Sequence, residues 1–418
     1  MRRRQFVHAA GALAAFAATG CAGIAGIAGK AKPHVVVVGG GYGGAAAAKY
    51  LRLWSEGAID VTMVEPSSSF ISCPLSNLVL GGSRQLGQLT MNYAALSSQH
   101  GVRVVPSTAT DVDPVGRTVK LAGGQVLRYE RLIVSPGVDL MYDELEGSSA
   151  ALHAWKAGPE TLALRRQLEQ MADGGTFVMT IPPAPYRCPP GPYERACQVA
   201  HYFSRAKPRS KVLILDANDD VVSKGALFKR IWAQRYPGMI EYRPRFKAVR
   251  AESNAVVSEL GERVEGAVLN VIAPQRAGAI AVQTGLANVN GRWCGVDFLS
   301  FESTAVANIH VLGDAIQSSP LMPKSAHMAN QHAKVCAAAV VDMLGGRAPD
   351  AHPVLTNTCY SFISDTEVIH VASVHAYDAA QKTLLVVPGS GGVSVDASAQ
   401  EGVYAFNWAR NIWADTLG

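Results

Sequence analysis

The chain has 418 residues, 48% of them apolar and 17% charged, which fits two or three globular domains and excludes a disordered chain. Four of its five net positive charges sit on Arg2, Arg3, Arg4 and Lys30. The remainder is close to neutral, so net charge offers no support for nucleic-acid binding.

The first element in chain order is MRRRQFVHAAGALAAFAATGCAGIAGIAGKA. A basic start, a short alanine-rich apolar stretch and a run of small residues predict an export signal over residues 1–31. The arginines followed by Gln5-Phe6-Val7 point to the twin-arginine route and a periplasmic destination. A membrane anchor is the alternative, but the stretch is short and broken by Thr19 and Gly20. Cys21 would suit lipidation only weakly, because Ala18 stands three residues before it in place of Leu. Nothing later is long and apolar enough to span a bilayer, so no integral segment is expected in the mature chain.

HVVVVGGGYGGAAAAKYL, from His34, reads as a buried strand, a glycine turn and a helix start. Gly39, Gly41 and Gly44 form G-x-G-x-x-G in the context that gives the motif its mechanism. The first allows the turn, the second lets backbone approach a pyrophosphate, and the third lets helix pack on strand. VTMVE follows, ending in Glu65, 21 residues after Gly44 and placed to accept from a ribose. RYERLIVSPGVD (128–139) and NIHVLGDAI (308–316) then supply a closing strand and a distal Gly313-Asp314, the latter expected at a ribityl chain. The helix of PKSAHMANQHAKVCAAAVVDML should aim its N-terminus at the flavin pyrimidine edge, with Lys324 placed to neutralise a reduced flavin. Taken in order, these features predict FAD.

The expected fold class is α/β, with two Rossmann-like three-layer domains of the glutathione-reductase type and a C-terminal α+β interface domain. The FAD domain is split over 32–147 and 279–346, the second domain spans 148–278, and the interface domain 347–418. In the second domain the strand TFVMTIPPA runs into PPAPYRCPPGPYERA. Prolines lack the N–H groups and the glycine freedom that a phosphate cradle needs, so nicotinamide binding is not expected.

Seven cysteines are present. In an exported protein they should pair or work. Cys336, Cys294 and Cys197 suit packing, although Cys197 is close enough to Cys188 to serve as a spare partner. Cys73, in FISCPLSNLVLGG, stands alone, with Leu78 where a C-x-x-x-x-C pair would have its second thiol. A lone thiol against the ring can be joined to it, as a thioether at the 8α-methyl. No metal site is expected.

The chain resembles the flavoprotein subunit of flavocytochrome c sulfide dehydrogenase, a relative of sulfide:quinone oxidoreductases. The likeness runs over nearly the whole chain: CPLSN, HAWKAG, MADGGT, RCPPGPYERA, PQRAG, WCGVD, MPKSAH, NTCYS and NWARNIWADTLG. It implies FAD linked covalently through Cys73 and a redox-active Cys188–Cys359 disulfide that hydrosulfide attacks. It also implies Glu194 as acid/base and a c-type cytochrome partner in a heterodimer. Trp408 and Trp413 would pack near the flavin or face that cytochrome. Cys197 departs from the family pattern. There is no C-x-x-C-H haem motif and no amphipathic C-terminal tail, which favours a cytochrome over quinone as acceptor. A quinone-reducing enzyme and an accessory flavoprotein of a thiosulfate-oxidising system are the alternatives.

Overall fold

The computed structural model describes residues 31–418; the expected export signal and Cys21 lie outside the described residues. The chain enters on β1 (His34–Val38), whose valines 35–37 are fully buried. A run buried on both faces is what a parallel sheet requires. Helix α1 (Tyr42–Trp54), β2 (Asp60–Val64), the short α2 (Ser76–Gly81), β3 (Arg103–Val105) and β4 (Arg131–Val134) follow. A three-stranded antiparallel meander, residues 109–128, lies between β3 and β4.

The second domain comprises α3 (Pro159–Gln170), β5 (Thr176–Ile181), α4 (Gly191–Ala206), β6 (Lys211–Asp216), α5 (Gly225–Arg235), β7 (Ile240–Arg243) and β8 (Val268–Val271). Its sheet order is β7-β6-β5-β8, all parallel. The chain crosses between domains on two short antiparallel strands, Val138–Leu140 against Gln275–Ala277. It then adds β9 (Ile309–Val311) beside β4, completing a first sheet of order β9-β4-β1-β2-β3. The whole second domain thus interrupts the first sheet in sequence.

Helix α6 (Ala326–Leu344) packs against α1, whose Ala45–Ala48 are fully buried. Small side chains at that contact let the two helices and the glycine turn approach closely. The C-terminal segment forms an antiparallel sheet of β10 (Val354–Phe362), β11 (Val368–Asp378) and β12 (Thr383–Val386), then α7 (Ala399–Leu417). Helix α7 packs on α1 and β11, and Lys49 of α1 donates to the carbonyls of Ala414 and Asp415. This brings β10 and α7 to the cofactor side of the first domain.

Candidate active site

The three fingerprint glycines meet different surroundings. At Gly39, φ is +99°, and an added Cβ would lie 2.3 Å from the Ser135 carbonyl oxygen. At Gly44 it would lie 1.8 Å from the Gly39 carbonyl oxygen. Both are packing requirements. At Gly41 an added Cβ meets nothing within 4 Å; the space is open, as a cradle for an incoming phosphate must be. Glu65, at the end of β2, accepts from the N–H groups of Gly40 (2.7 Å) and Ser67 (2.8 Å), which fixes its carboxylate beside that cradle.

Gly40, Gly41, Glu65, Cys73, Cys188, Glu194, Gly313, Asp314 and Cys359 line one cavity of about 400 Å³. Helices α1, α4 and α6 all begin at it, through Gly41-Tyr42, Pro190-Gly191 and Ser325-Ala326. Three positive helix ends therefore face one space, which favours an anion or a ring that gains negative charge. Among the described residues Asp314 Oδ1 is buried without a hydrogen-bond partner, and burial raises its carboxyl above the usual range. An orphaned acceptor costs stability unless a ligand donor meets it. The open cradle at Gly41, fixed Glu65 and unpartnered Asp314 together fit the pyrophosphate, ribose and ribityl hydroxyls of FAD.

Cys188 is held in left-handed backbone, φ +58°. Its N–H donates to the Lys324 carbonyl at 2.8 Å, and its carbonyl accepts from Gly191 N–H at 2.8 Å. Gly191 is required by that sulfur: a Cβ there would lie 2.8 Å from Cys188 Sγ and 2.9 Å from the Trp155 ring. Cys359 sits in β10, its Sγ 3.5 Å from Asn357 Nδ2, while Asn357 Oδ1 accepts from Ser325 at 2.8 Å. Both are free thiols in this structure. Burial raises both thiol pKa values, and for Cys188 the neighbouring Cys359 and Glu194 add to the rise, which holds them protonated.

Glu194, in the first turn of α4, is 8% exposed. It accepts from Phe362 N–H (3.1 Å) and Asn77 Nδ2 (3.1 Å). Burial raises its pKa, and those two bonds, Lys224 and Arg195 oppose the rise. A buried carboxyl of raised pKa beside two cysteines can take or give a proton.

Lys324 is placed differently from expectation. It does not line the cavity. Its ammonium donates to the carbonyls of Asp314 (3.0 Å) and Ile316 (2.5 Å) and rests 3.7 Å from the Trp293 ring centroid. These partners hold it under the Gly313-Asp314 turn, and its carbonyl, not its charge, reaches Cys188. Trp408 lines the cavity, while Trp413 donates to the Tyr42 hydroxyl at 3.1 Å. Cys197 is fully buried and accepts from Trp232 Nε1 at 3.3 Å; Cys294 and Cys336 are fully buried as well.

Comparison with known proteins now bears on the site. The profile described as "Sulfide dehydrogenase [flavocytochrome c] flavoprotein chain, central" matches residues 161–273, and "Flavocytochrome c sulphide dehydrogenase, flavin-binding" matches 351–417. The sulfide dehydrogenase flavoprotein chain of Chlorobaculum thiosulfatiphilum is 60% identical over 45 residues, which is 92% of that relative and 11% of this chain. The chain belongs to the flavocytochrome c sulfide dehydrogenase flavoprotein family. It is also similar to the mitochondrial sulfide:quinone oxidoreductase of Mus musculus, 23% identical over 300 residues. That match spans 68% of this chain and 66% of the mouse protein, just under two thirds. Among solved structures, the sulfide:quinone oxidoreductase of Aquifex aeolicus superposes with a TM-score of 0.77 at 18% identity, covering 92% of this chain and 91% of that one. A pyridine nucleotide-disulphide oxidoreductase profile matches residues 33–172. The fold is that of the FAD-dependent oxidoreductases.

The second domain also ends a strand in a buried acid. Asp216 ends β6 as Glu65 ends β2, but it is fully buried and accepts from Tyr193 (2.7 Å), Tyr242 (3.1 Å) and Asn218 N–H (2.9 Å). The Tyr193 hydroxyl also accepts from Val222 N–H at 3.2 Å. Asp216 is thus satisfied by partners inside the fold.

Sequence reasoning missed Asn77, Asn357, Arg195 and Lys224. Arg195 is 2% exposed and donates to Asn77, Asn270 and the carbonyls of His153 and Ala154, so it is a structural brace. Lys224, in VVSKGALF, is 9% exposed and donates to the Cys359 carbonyl and Ser361 hydroxyl. Asn77, Arg195 and Asn357 lie inside the motifs CPLSN, RCPPGPYERA and NTCYS and could have been sought there; Lys224 lies in none of them.

Proposed function

We propose that this protein is the flavoprotein of a periplasmic sulfide dehydrogenase, exported by the twin-arginine route, that passes electrons from hydrosulfide to a c-type cytochrome. The observation that carries the reading is the meeting of Cys188 and Cys359, 171 residues apart in sequence, in the cavity that also holds the FAD cradle. In the oxidised enzyme the two form a disulfide. Hydrosulfide attacks one sulfur, the S–S bond breaks, a persulfide forms and the other cysteine leaves as a thiolate with the electron pair. Glu194 takes the proton of the incoming sulfur, its hydrogen bonds from Phe362 N–H and Asn77 holding the carboxylate in place for it. Positive ends of α1, α4 and α6 favour the anionic substrate and product.

FAD, held at Gly41, Glu65, Gly313 and Asp314 and attached through Cys73, supplies acceptance of an electron pair and its release one electron at a time. Cys73 lines the same cavity, which supports the attachment. A cytochrome subunit as acceptor is supported by the family's name; with no haem motif in this chain, its haem would be carried by that subunit. Among the described residues no helix is long and apolar enough to cross a membrane. Zero-valent sulfur or polysulfide is the product.

Purified protein is assayed anaerobically with sulfide and either c-type cytochrome or a quinone analogue. Turnover with cytochrome supports the reading; turnover with quinone alone assigns the protein to quinone reduction; no turnover with either overturns sulfide oxidation.

A further inference from the structure

Lys224 is a buried cation that the chemistry above leaves unused. It immediately precedes α5 and is held in left-handed backbone, φ +56°. Its ammonium donates to the Cys359 carbonyl at 3.0 Å and the Ser361 hydroxyl at 2.8 Å. The titratable groups that face it come from four elements: Cys359 of β10, Cys188 of the proline-rich loop, Glu194 of α4 and Glu401 of α7. All four are anionic when ionised.

The two thiols differ in what stabilises a negative charge on them. Around Cys359 stand Lys224, the Asn357 amide 3.5 Å from the sulfur, and Ser325, with Glu194 opposing. Cys188 faces Cys359 and Glu194 as repelling groups, with Arg187 and the more weakly acting Lys224 in its favour; among the described residues its Sγ has no hydrogen-bond donor comparable to Asn357. A thiolate is stabilised by nearby cations and donors.

We infer that Lys224 makes Cys359 the thiolate-bearing member of the pair, so that hydrosulfide opening the disulfide ends on Cys188. The inference rests on the proposed sulfide chemistry for its direction of attack. The balance is complete: the hydrosulfide sulfur bonds to Cys188 Sγ, the Cys188–Cys359 bond breaks, and Cys359 keeps the electron pair as thiolate. The hydrosulfide proton stays on the terminal sulfur or passes to Glu194. Lys224 acts through Cys359 and is a positioning residue. Burial pulls its ammonium down to about 8, so the effect is full at neutral pH and fades as the pH rises through that value.

The test separates this inference from the function. Holoprotein with the pair reduced is alkylated with iodoacetamide at pH 7, where Lys224 is charged, and each cysteine is followed by peptide mass. Each rate is normalised to that of the same variant's other cysteine, so general changes in access cancel. Cys359 is expected to react faster than Cys188 in the native protein. Lys224→Met should slow Cys359 relative to Cys188 about tenfold, and Lys224→Arg should restore it. Cys188 reacting first, or a relative Cys359 rate unmoved in Lys224→Met, overturns the inference. If Lys224→Met does not fold, the order in the native protein and the Lys224→Arg rates still decide it. Alkylation after a sulfide pulse on oxidised protein then locates the extra sulfur; finding it on Cys359 overturns the direction of attack, whereas no reaction with sulfide at all sinks the proposed function and leaves the alkylation result standing.

Discussion

Substituting the second and third fingerprint glycines separates cofactor cradling from packing. Gly44→Ala places a methyl 1.8 Å from the Gly39 carbonyl oxygen, a main-chain atom that cannot swing aside. The β1–α1 turn must open, and the cost is at or above the ~3 kcal/mol upper range for overpacked sites. Gly41 has φ −71° and open space around it, so Gly41→Ala adds no clash and restricts the unfolded chain. The flavin-free protein should change by no more than about 1 kcal/mol, in the stabilising direction. The same methyl stands where a phosphate must approach the backbone, and an overpacking cost of ~1–3 kcal/mol there weakens FAD binding about five- to 150-fold. Denaturant unfolding of flavin-free protein and flavin titration, both in a Cys73→Ala background, measure the two effects separately. The reasoning fails if Gly41→Ala destabilises flavin-free protein as much as Gly44→Ala, or if it binds FAD normally.

Glu194 has a folded pKa raised above 4.5, so its contribution is present below that value and is lost as the pH rises through the folded pKa. Glu194→Gln should therefore gain stability relative to the native protein as the pH rises from 4.5 toward neutrality; a constant difference across that window would refute the assignment. Tyr193→Phe removes the 2.7 Å donor to buried Asp216 and should cost about 1–3 kcal/mol in urea unfolding; an unchanged midpoint would mean that Asp216 does not depend on it. Its flavin should remain unreduced by NADH, since Asp216 stays buried. The mass of the mature protein should include FAD, and Cys73→Ala should lose it; an adduct retained in the variant would place the link elsewhere.

Much of the first domain was legible because its signals are local. The glycine turn, Glu65 and Gly313-Asp314 are fixed by short backbone patterns, and each lines or braces the cavity as the pattern requires. The second domain's prolines were likewise readable, but the bond from Tyr193 to buried Asp216 was not, since it depends on how α4 packs over β6. Lys324 illustrates the opposite limit. Its position before α6 was readable, but the direction of its side chain is set by carbonyls and by Trp293, far away in sequence. Lys224 was invisible for a related cause: its burial is created by β10, more than a hundred residues later. Cys197, open to two readings in the sequence, faces Trp232 in the second core.

The central claim is that sulfide electrons enter through Cys188 and Cys359. Oxidised holoprotein is mixed anaerobically with sulfide, and the flavin absorbance is followed in the native protein and in Cys359→Ser. The flavin should bleach promptly in the native protein and stay oxidised in the variant. Equal bleaching in both would contradict the account.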